Sequence, residues 1–289
     1  MDIKAEISKF MDERPESIGI IGYGSGVNVQ KGQEDRKPQI DLIVIVDNLK
    51  KWHTENIKKN KKDYSFTSRI FFKHGPYKLL KSGAHICYMT YIPFNNREYK
   101  IGTIEVSDFL NDLINWETFY MAGRMQKPIL VVKSNEQIDK SIFQNRISGI
   151  EATKMILGKN TKEKDFYITL GSLSYIGDTR MGIAENPDKV KNIVEGAYQF
   201  YQENYGSKLH IENEEVIIDD NFDLEKIPYD LKIQLENIPK EQLSETTQRF
   251  LKEKNRSQSL AQTAKGIFTT GPVKSIKYAA AKLKRKQKK

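Results

Sequence analysis

The sequence predicts an α+β protein in which a mixed β-sheet domain is followed by a helical domain and a basic amphipathic tail. Two apolar runs joined by a polar, glycine-bearing connection at Ile18–Val46 carry the first part of that expectation. Helical texture from Ser141 onward carries the second. The third rests on charge: residues 256–289 hold ten Lys or Arg and no acid, leaving 37 bases against 38 acids in the rest of the chain. The net charge of +9 therefore sits in the tail, and a body so nearly neutral argues against a broad nucleic-acid-binding face. With 289 residues, 38% of them hydrophobic, the chain can bury a core, and the expected units are 1–135, 136–228 and 229–289. A single cysteine, Cys87, excludes a disulfide framework and points to a reducing compartment. His53, His74, His85 and His210 lack zinc-like spacing. Met1–Glu16 is mixed in charge, with Ile3, Ile7, Phe10 and Met11 at helical spacing, and does not read as a leader. No apolar run reaches the ~18 residues of a membrane span.

Ser17–Tyr23 reads as the first strand. It stops at Gly22-Tyr23-Gly24-Ser25-Gly26, where three glycines supply positive φ and let backbone N–H groups approach a ligand. Ile40–Val46, β-branched at nearly every position, reads as a central strand covered on both faces. Asp41 opens that strand, with fifteen residues between it and Ser25. This arrangement suits a triphosphate meeting a metal: hydroxyl and turn amides hold phosphate oxygens, and the carboxylate holds Mg²⁺. On these residues alone, a glycine-rich turn with a strand-capping Asp is the commoner outcome.

Trp52, His53 and Asn56 span one helical turn and could line a cleft wall, although a structural hydrogen bond is the commoner role for a lone His53. Lys58, Lys59, Lys61 and Lys62 read as a solvated face able to attract an anionic substrate. Ser82–Ile104 reads as a hairpin turning at Pro93–Arg97, and Glu105 fits a further carboxylate slot by pattern. Val106–Gly123 reads as one amphipathic helix stopped by Gly123, after which Arg124 and Lys127 bracket a loop before a strand at Ile129–Val132. Such a loop can grip phosphates, but bases at a helix C-terminus are the plainer reading. Helices are expected over Ser141–Leu157, Lys162–Tyr175 and Asp188–Tyr205, and a short strand pair in Lys208–Asp219. Gly177 ends a helix and leaves Asp178 and Arg180 in the following loop. In the tail, Leu260, Ala264, Ile267 and Phe268 form one helical stripe. Gly271-Pro272 interrupts it, and Val273, Ile276, Ala280 and Leu283 form another among lysines. An apolar ribbon bordered by bases lies in the headgroup plane of an anionic bilayer; a disordered nucleic-acid arm is the alternative.

The hydrophobic strand, Gly24-Ser25 and Asp41 resemble the signature of the nucleotidyltransferase superfamily. That signature has a second acid two residues after the first; here the position is Ile43, which leaves Asp41 alone. A longer set resembles the mitochondrial-type phosphatidate cytidylyltransferases, also called translocator assembly and maintenance proteins. It comprises Gly22–Val27, Asp41-Leu42-Ile43, Trp52-His53-x-x-Asn56-x-x-x-Asn60-x-x-x-Tyr64-Ser65 and Lys100-Ile101-Gly102-Thr103-Ile104. Downstream it continues with Asp112-Leu113, Ala122-Gly123-Arg124-Met125-Gln126-Lys127-Pro128, Ser174-Tyr175-x-Gly177-Asp178-x-Arg180-Met181 and Lys265-Gly266-Ile267-Phe268.

The resemblance implies a nucleotidyltransferase-like domain followed by a winged-helix-like one. It also implies CTP held by Gly24, Ser25 and Gly26 with Trp52, His53, Asp178 and Arg180, and Mg²⁺ on Asp41. Lys100, Arg124 and Lys127 would then serve the triphosphate or the acceptor phosphate. Phosphatidic acid would be converted to CDP-diacylglycerol at an anionic membrane reached through the tail, with no nucleic-acid partner. A transferase acting on RNA or a small acceptor, or a non-catalytic scaffold, is the alternative. The expected location is the cytoplasmic face of a bacterial membrane, with the matrix side of the mitochondrial inner membrane as the alternative.

Overall fold

A computed structural model describes residues 2–27, 38–178, 187–219 and 222–270, with 258–270 as helical backbone alone. Arg180 and the tail beyond Thr270 lie outside the described residues. β1 (Gly19–Tyr23), β2 (Ile40–Val46), β3 (Cys87–Phe94), β4 (Arg97–Glu105) and β5 (Ile129–Lys133) form one mixed sheet in the order β3-β4-β2-β1-β5. β2 pairs antiparallel with β1 and parallel with β4, so it is central, as its β-branched run predicts. Alternation then splits its side chains. Leu42, Val44 and Val46 pack with Ile7, Phe10, Leu49 and Trp52, while Ile43 and Ile45 pack with Ile21, Phe109, Leu113 and Ile138. Asp41 has the parity of Ile43 and lies at the open end of the second face.

The first face is covered by α1 (Ile3–Asp12), α2 (Leu49–Lys59), α3 (Phe66–His74) and the single turn α4 (Tyr77–Leu80). Side chains of Asp2, Asn48 and Ser65 accept from backbone N–H groups in the first turns of α1, α2 and α3, satisfying donors the helices cannot. Asn95 and Asn96, at φ 46° and 59°, make the two-residue turn from β3 to β4 whose twist matches the strands.

The second face is covered by α5 (Val106–Asn115), α6 (Ala122–Met125) and α7 (Glu136–Leu157). The single helix expected over Val106–Gly123 is instead two, because Asp112 captures the intervening loop. Its Oδ1 accepts from Thr118 N (2.6 Å), Thr118 Oγ1 (2.8 Å) and Phe119 N (2.7 Å), and its Oδ2 from Met121 N (2.6 Å) and Ala122 N (3.1 Å). α5 ends at Trp116, left-handed at φ 50°. Gly123 is no helix stop. It lies inside α6, where a Cβ would come 2.5 Å from Ser174 Cβ, so its role is close packing.

Ile138 and Ile142 of α7 belong to the sheet core, and Ile150 of the same helix to the next. That next core joins α8 (Glu163–Ser172), α9 (Lys189–Gly196) and α10 (Tyr198–Tyr205) through Phe166, Tyr167, Val190, Val194, Tyr201 and Tyr205. The helix expected over Asp188–Tyr205 breaks at Ala197, whose φ of −136° follows Gly196. β6 (Thr161–Lys162), β7 (Ile211–Glu212) and β8 (Glu215–Val216) form a small sheet in the order β6-β8-β7. α11 (Tyr229–Leu235) and α12 (Leu243–Thr270) follow. Phe250 and Leu251 of α12 pack with Trp116, Phe119 and Met155, and Asn255 Nδ2 donates to the carbonyls of Leu173 and Ile176. The same helix lies against β3 and α3.

Candidate active site

Strand register assembles the site. β1–β2 pairing sets Tyr23 opposite Asp41, and β2–β4 pairing sets Asp41 opposite Lys100, so the three form a row on one face. Lys100 Nζ lies 3.6 Å from Asp41 Oδ1 and 4.3 Å from the Tyr88 ring centroid. Directly after Tyr23, Gly24-Ser25-Gly26 makes a single 3₁₀ turn. Gly24 holds φ 75°, and a Cβ there would stand 3.5 Å from Asp41 Oδ2. At Gly26 a Cβ would fall 2.3 Å from the Gln39 carbonyl oxygen. One glycine is needed for its backbone angle and the other for room, and both keep the turn amides beside the carboxylate.

Arg124 arrives from α6, which Asp112 holds in place. Its Nη1 donates to the Tyr120 carbonyl (2.7 Å), and its guanidinium lies 3.6 Å from the Tyr120 ring and 5.6 Å from the Tyr23 ring. The Tyr88 and Tyr120 hydroxyls are 3.1 Å apart. Burial works against charge on Arg124, but the surrounding Tyr120, Tyr88 and Tyr23 hydroxyls outweigh it and hold its pKa above the ordinary value. Burial first, and then Asp41, push the Tyr23 phenol upward; burial does the same to Tyr88. The Tyr23 and Tyr88 phenols therefore stay neutral beside the arginine. Among the described residues, the buried Arg124 Nε and Tyr23 hydroxyl make no hydrogen bond of good geometry, and they are held instead by looser polar contact within the cage, Arg124 with Tyr23 and Tyr23 with Tyr88.

Lys127 turns the other way. Its Nζ donates to Ser174 Oγ (2.5 Å) and lies 4.6 Å from the Tyr175 ring, which Lys189 Nζ approaches to 5.2 Å. Asp178 follows that turn, 8% exposed, with its N–H donating to the Tyr175 carbonyl. The expected site residues thus fall into two neighbouring groups. Gly24, Ser25, Gly26, Asp41, Lys100 and Arg124 gather at the sheet end, while Lys127 and Asp178 lie with Ser174 and Tyr175 of the helical part. The 4-residue α6 carries Arg124 and leads into Lys127, linking the groups.

Trp52 and His53 are corrections. Both lie in the core on the opposite face, because their side of α2 turns toward the sheet rather than toward its end. Trp52 Nε1 donates to the Pro15 carbonyl at 3.2 Å. His53 is fully buried, stacked on Phe72, and its tautomer follows from its neighbours. Thr103 Oγ1 donates to the Cys87 carbonyl (3.2 Å), so it accepts from His53 Nε2–H (2.7 Å). Nδ1 then accepts from the Tyr64 hydroxyl (2.8 Å), which accepts from Asn56 Nδ2 (2.8 Å). Asn60 Nδ2 continues the chain to Asn56 Oδ1 (2.8 Å) and the Glu13 carbonyl (2.9 Å). The Trp-His-Asn-Asn-Tyr pattern is a buried polar strut that ties α2 to the sheet.

Glu105 is a correction as well. It lies five residues past Lys100, about 17 Å along the strand. There it accepts from Leu49 N (2.8 Å), Lys81 Nζ (3.2 Å) and the Tyr77 hydroxyl. Among the described residues, no group of three His, Cys, Asp or Glu could hold a metal. Asp41, its side chain 27% exposed, is among the described residues the one carboxylate at this turn that would hold a Mg²⁺ ion, a single ligand of the kind such an ion accepts when water and phosphate supply the rest.

Tyr23, Tyr88, Tyr120 and Asp112 escaped the sequence reading as site-builders. Tyr23 had a signal, since its place between two glycines beside Asp41 follows from strand pairing. For Tyr88 and Tyr120 no pattern in the sequence marks the contact.

A glycine turn beside one carboxylate, faced by Lys100 and a caged arginine at the end of a mixed sheet, is an arrangement chemically suited to phosphate oxygens, offering charge from several sides. The chain belongs to the family described as "Phosphatidate cytidylyltransferase, mitochondrial", whose model matches residues 7–227 and 229–285. A Saccharomyces cerevisiae protein of that name is 34% identical over 270 residues, covering 91% of this chain and 65% of that protein. A Homo sapiens protein of the same name is 34% identical over 245 residues, covering 80% and 53%. One from Bos taurus is 30% identical over 317 residues, covering 95% and 92%. The chain thus spans under two thirds of the yeast and human relatives and nearly all of the bovine one. The solved structure of a nucleotidyltransferase-like protein from Exiguobacterium sibiricum overlaps 92% of this chain and 77% of its own, at 12% identity and a TM-score of 0.28.

Proposed function

We propose that this protein is a phosphatidate cytidylyltransferase, converting CTP and phosphatidic acid to CDP-diacylglycerol and diphosphate. The observation that carries the proposal is the row of Asp41 and Lys100 beside the Gly24–Gly26 turn, in a chain of this family. CTP lies against the turn, whose amides and Ser25 hydroxyl take phosphate oxygens. Lys100 and Arg124 face the triphosphate, and Lys127 meets the acceptor from the helical side. The acceptor's phosphate oxygen attacks the α-phosphorus in line, and the bond to the β-phosphate breaks, releasing diphosphate. Because the acceptor is already an anion, no protein nucleophile and no general base is needed. The protein contributes positioning and charge. Asp41 would hold Mg²⁺, which when bound supplies charge neutralisation on the phosphate oxygens.

The division into sheet, winged-helix-like and C-terminal units at 1–135, 136–228 and 229–289 belongs to the same reading. It draws support from α7–α10 with the small β6-β8-β7 sheet, a shape that does not by itself imply DNA. The basic tail would bring the enzyme to its lipid. Among the described residues no helix is long and apolar enough to cross a membrane. The relatives' names are mitochondrial, in keeping with the matrix-side alternative; an inner leaflet of a bacterial membrane would offer the same anionic surface. Incubation with labelled CTP and either phosphatidic acid vesicles or RNA tests the reading. Label in lipid is the expected result, and label in RNA overturns it.

A further inference from the structure

Of the eight large hydrophobic residues exposed among the described residues, four crowd into one short segment: Phe66 (70%), Ile70 (48%), Tyr77 (39%) and Leu79 (44%). Single exposed apolar residues need no explanation, but a cluster does. Phe66 and Ile70 stand one turn apart on the outer side of α3, whose inner side buries Phe71 and Phe72, so the outward placement is not a failure to find the core. From Lys58 to Lys78 the chain carries seven Lys or Arg and one acid, Asp63. That acid is already paired with Arg14 at 2.8 Å, which leaves the positive charge around the apolar side chains unopposed within the segment. Beside Tyr77 an open cleft of ≈ 580 Å³ is lined by Lys50, Lys51 and Lys58 together with Glu55. The helix that leads into the basic tail, α12, lies against α3.

We infer that the α3–α4 surface is a second membrane contact, placing Phe66 and Ile70 in the headgroup region of an anionic bilayer while the surrounding bases lie against its phosphates. A solvated lysine face would explain the charge but not four apolar side chains within it. A protein partner would accept the apolar cluster but has no need of a rim in which bases so outnumber acids. The bilayer accounts for both. The inference rests on the lipid-acceptor reading for its purpose, though its test does not depend on turnover. A two-point attachment would also fix the orientation of the sheet on the membrane, which a tail on its own does not.

The test is flotation of the full chain with phosphatidylcholine vesicles with and without phosphatidic acid, comparing wild type, Phe66→Ser/Ile70→Ser and Lys73→Ala/Lys78→Ala. All four positions are exposed, so circular dichroism should be unchanged. Wild type should float only with phosphatidic acid present. The apolar pair should weaken flotation roughly tenfold, and the lysine pair roughly fivefold per base removed. Turnover of a short-chain phosphatidic acid dissolved as monomers should be the same in all three. Undiminished flotation of both variants overturns the surface, as does a wild type that does not float. Weakened flotation in a protein that forms no CDP-diacylglycerol keeps the surface and removes the catalytic reading.

Discussion

Asp112→Ala is the substitution that most directly links the fold to the site. The carboxylate accepts from four backbone amides and one hydroxyl, all within Thr118–Ala122, and those residues are almost wholly buried apart from Tyr120. Each buried donor left bare costs about 1–3 kcal/mol. The space left by the carboxylate admits water for some of them, so about two remain unpaired, and the expected loss is roughly 2–6 kcal/mol. That is a large part of the ~5–15 kcal/mol of a typical domain. Asp112→Asn keeps one acceptor and turns an N–H₂ toward the other donors, so it should lose about half as much. Urea unfolding followed by circular dichroism reads both, and the midpoint should shift with little change in slope. Under native conditions, surviving Asp112→Ala should have lost affinity for CTP, since α6 carries Arg124. A variant within about 1 kcal/mol of wild type, binding CTP normally, would refute the argument that this side chain holds the loop.

Other substitutions separate structure from chemistry. His53→Leu should cost about 1–3 kcal/mol by taking away the acceptor of the buried Tyr64 hydroxyl proton and the donor to Thr103 Oγ1, with an unchanged KM for CTP; a KM raised tenfold in a stable protein would return His53 to the nucleotide site. His85 supplies a pH dependence. Its pKa is raised, first by the hydrogen bond to Asp108 and also by Glu117, against opposition from burial and Lys81. A raised folded-state pKa means its stabilisation is full below the ordinary value of 6.5 and fades as pH climbs through the raised one. Asp108, held below its ordinary 3.8 by hydrogen bonds from His85 and Lys81 despite burial, acts at the acid end, its contribution fading as pH falls through the lowered value. Thermal melts across pH 5–9 should therefore show a decline above neutrality that disappears in His85→Asn.

What the sequence made legible follows from periodicity. β1, β2, the hairpin and β5 were readable because alternation and turn residues are local, and Asp41 on the strand's edge came with them. The helix over Val106–Gly123 was not, since nothing in the apolar spacing reveals that Asp112 will bind the backbone six to ten residues ahead. Trp52 and His53 were misplaced for a different reason. Spacing puts them on one side of a helix, but not on one side of the sheet that the helix covers. The tyrosines around Arg124 come from β1, β3 and the α5–α6 loop, and only the assembled topology brings them together.

The account rests on Asp41 acting with the Gly24–Gly26 turn on CTP. The most direct measurement is formation of labelled CDP-diacylglycerol from CTP by Asp41→Asn on phosphatidic acid vesicles containing Mg²⁺, with folding checked by melting. The partly exposed side chain should leave the melting temperature nearly unchanged, while product formation falls by at least ~10²–10³-fold. Wild-type rates in that variant would contradict the account.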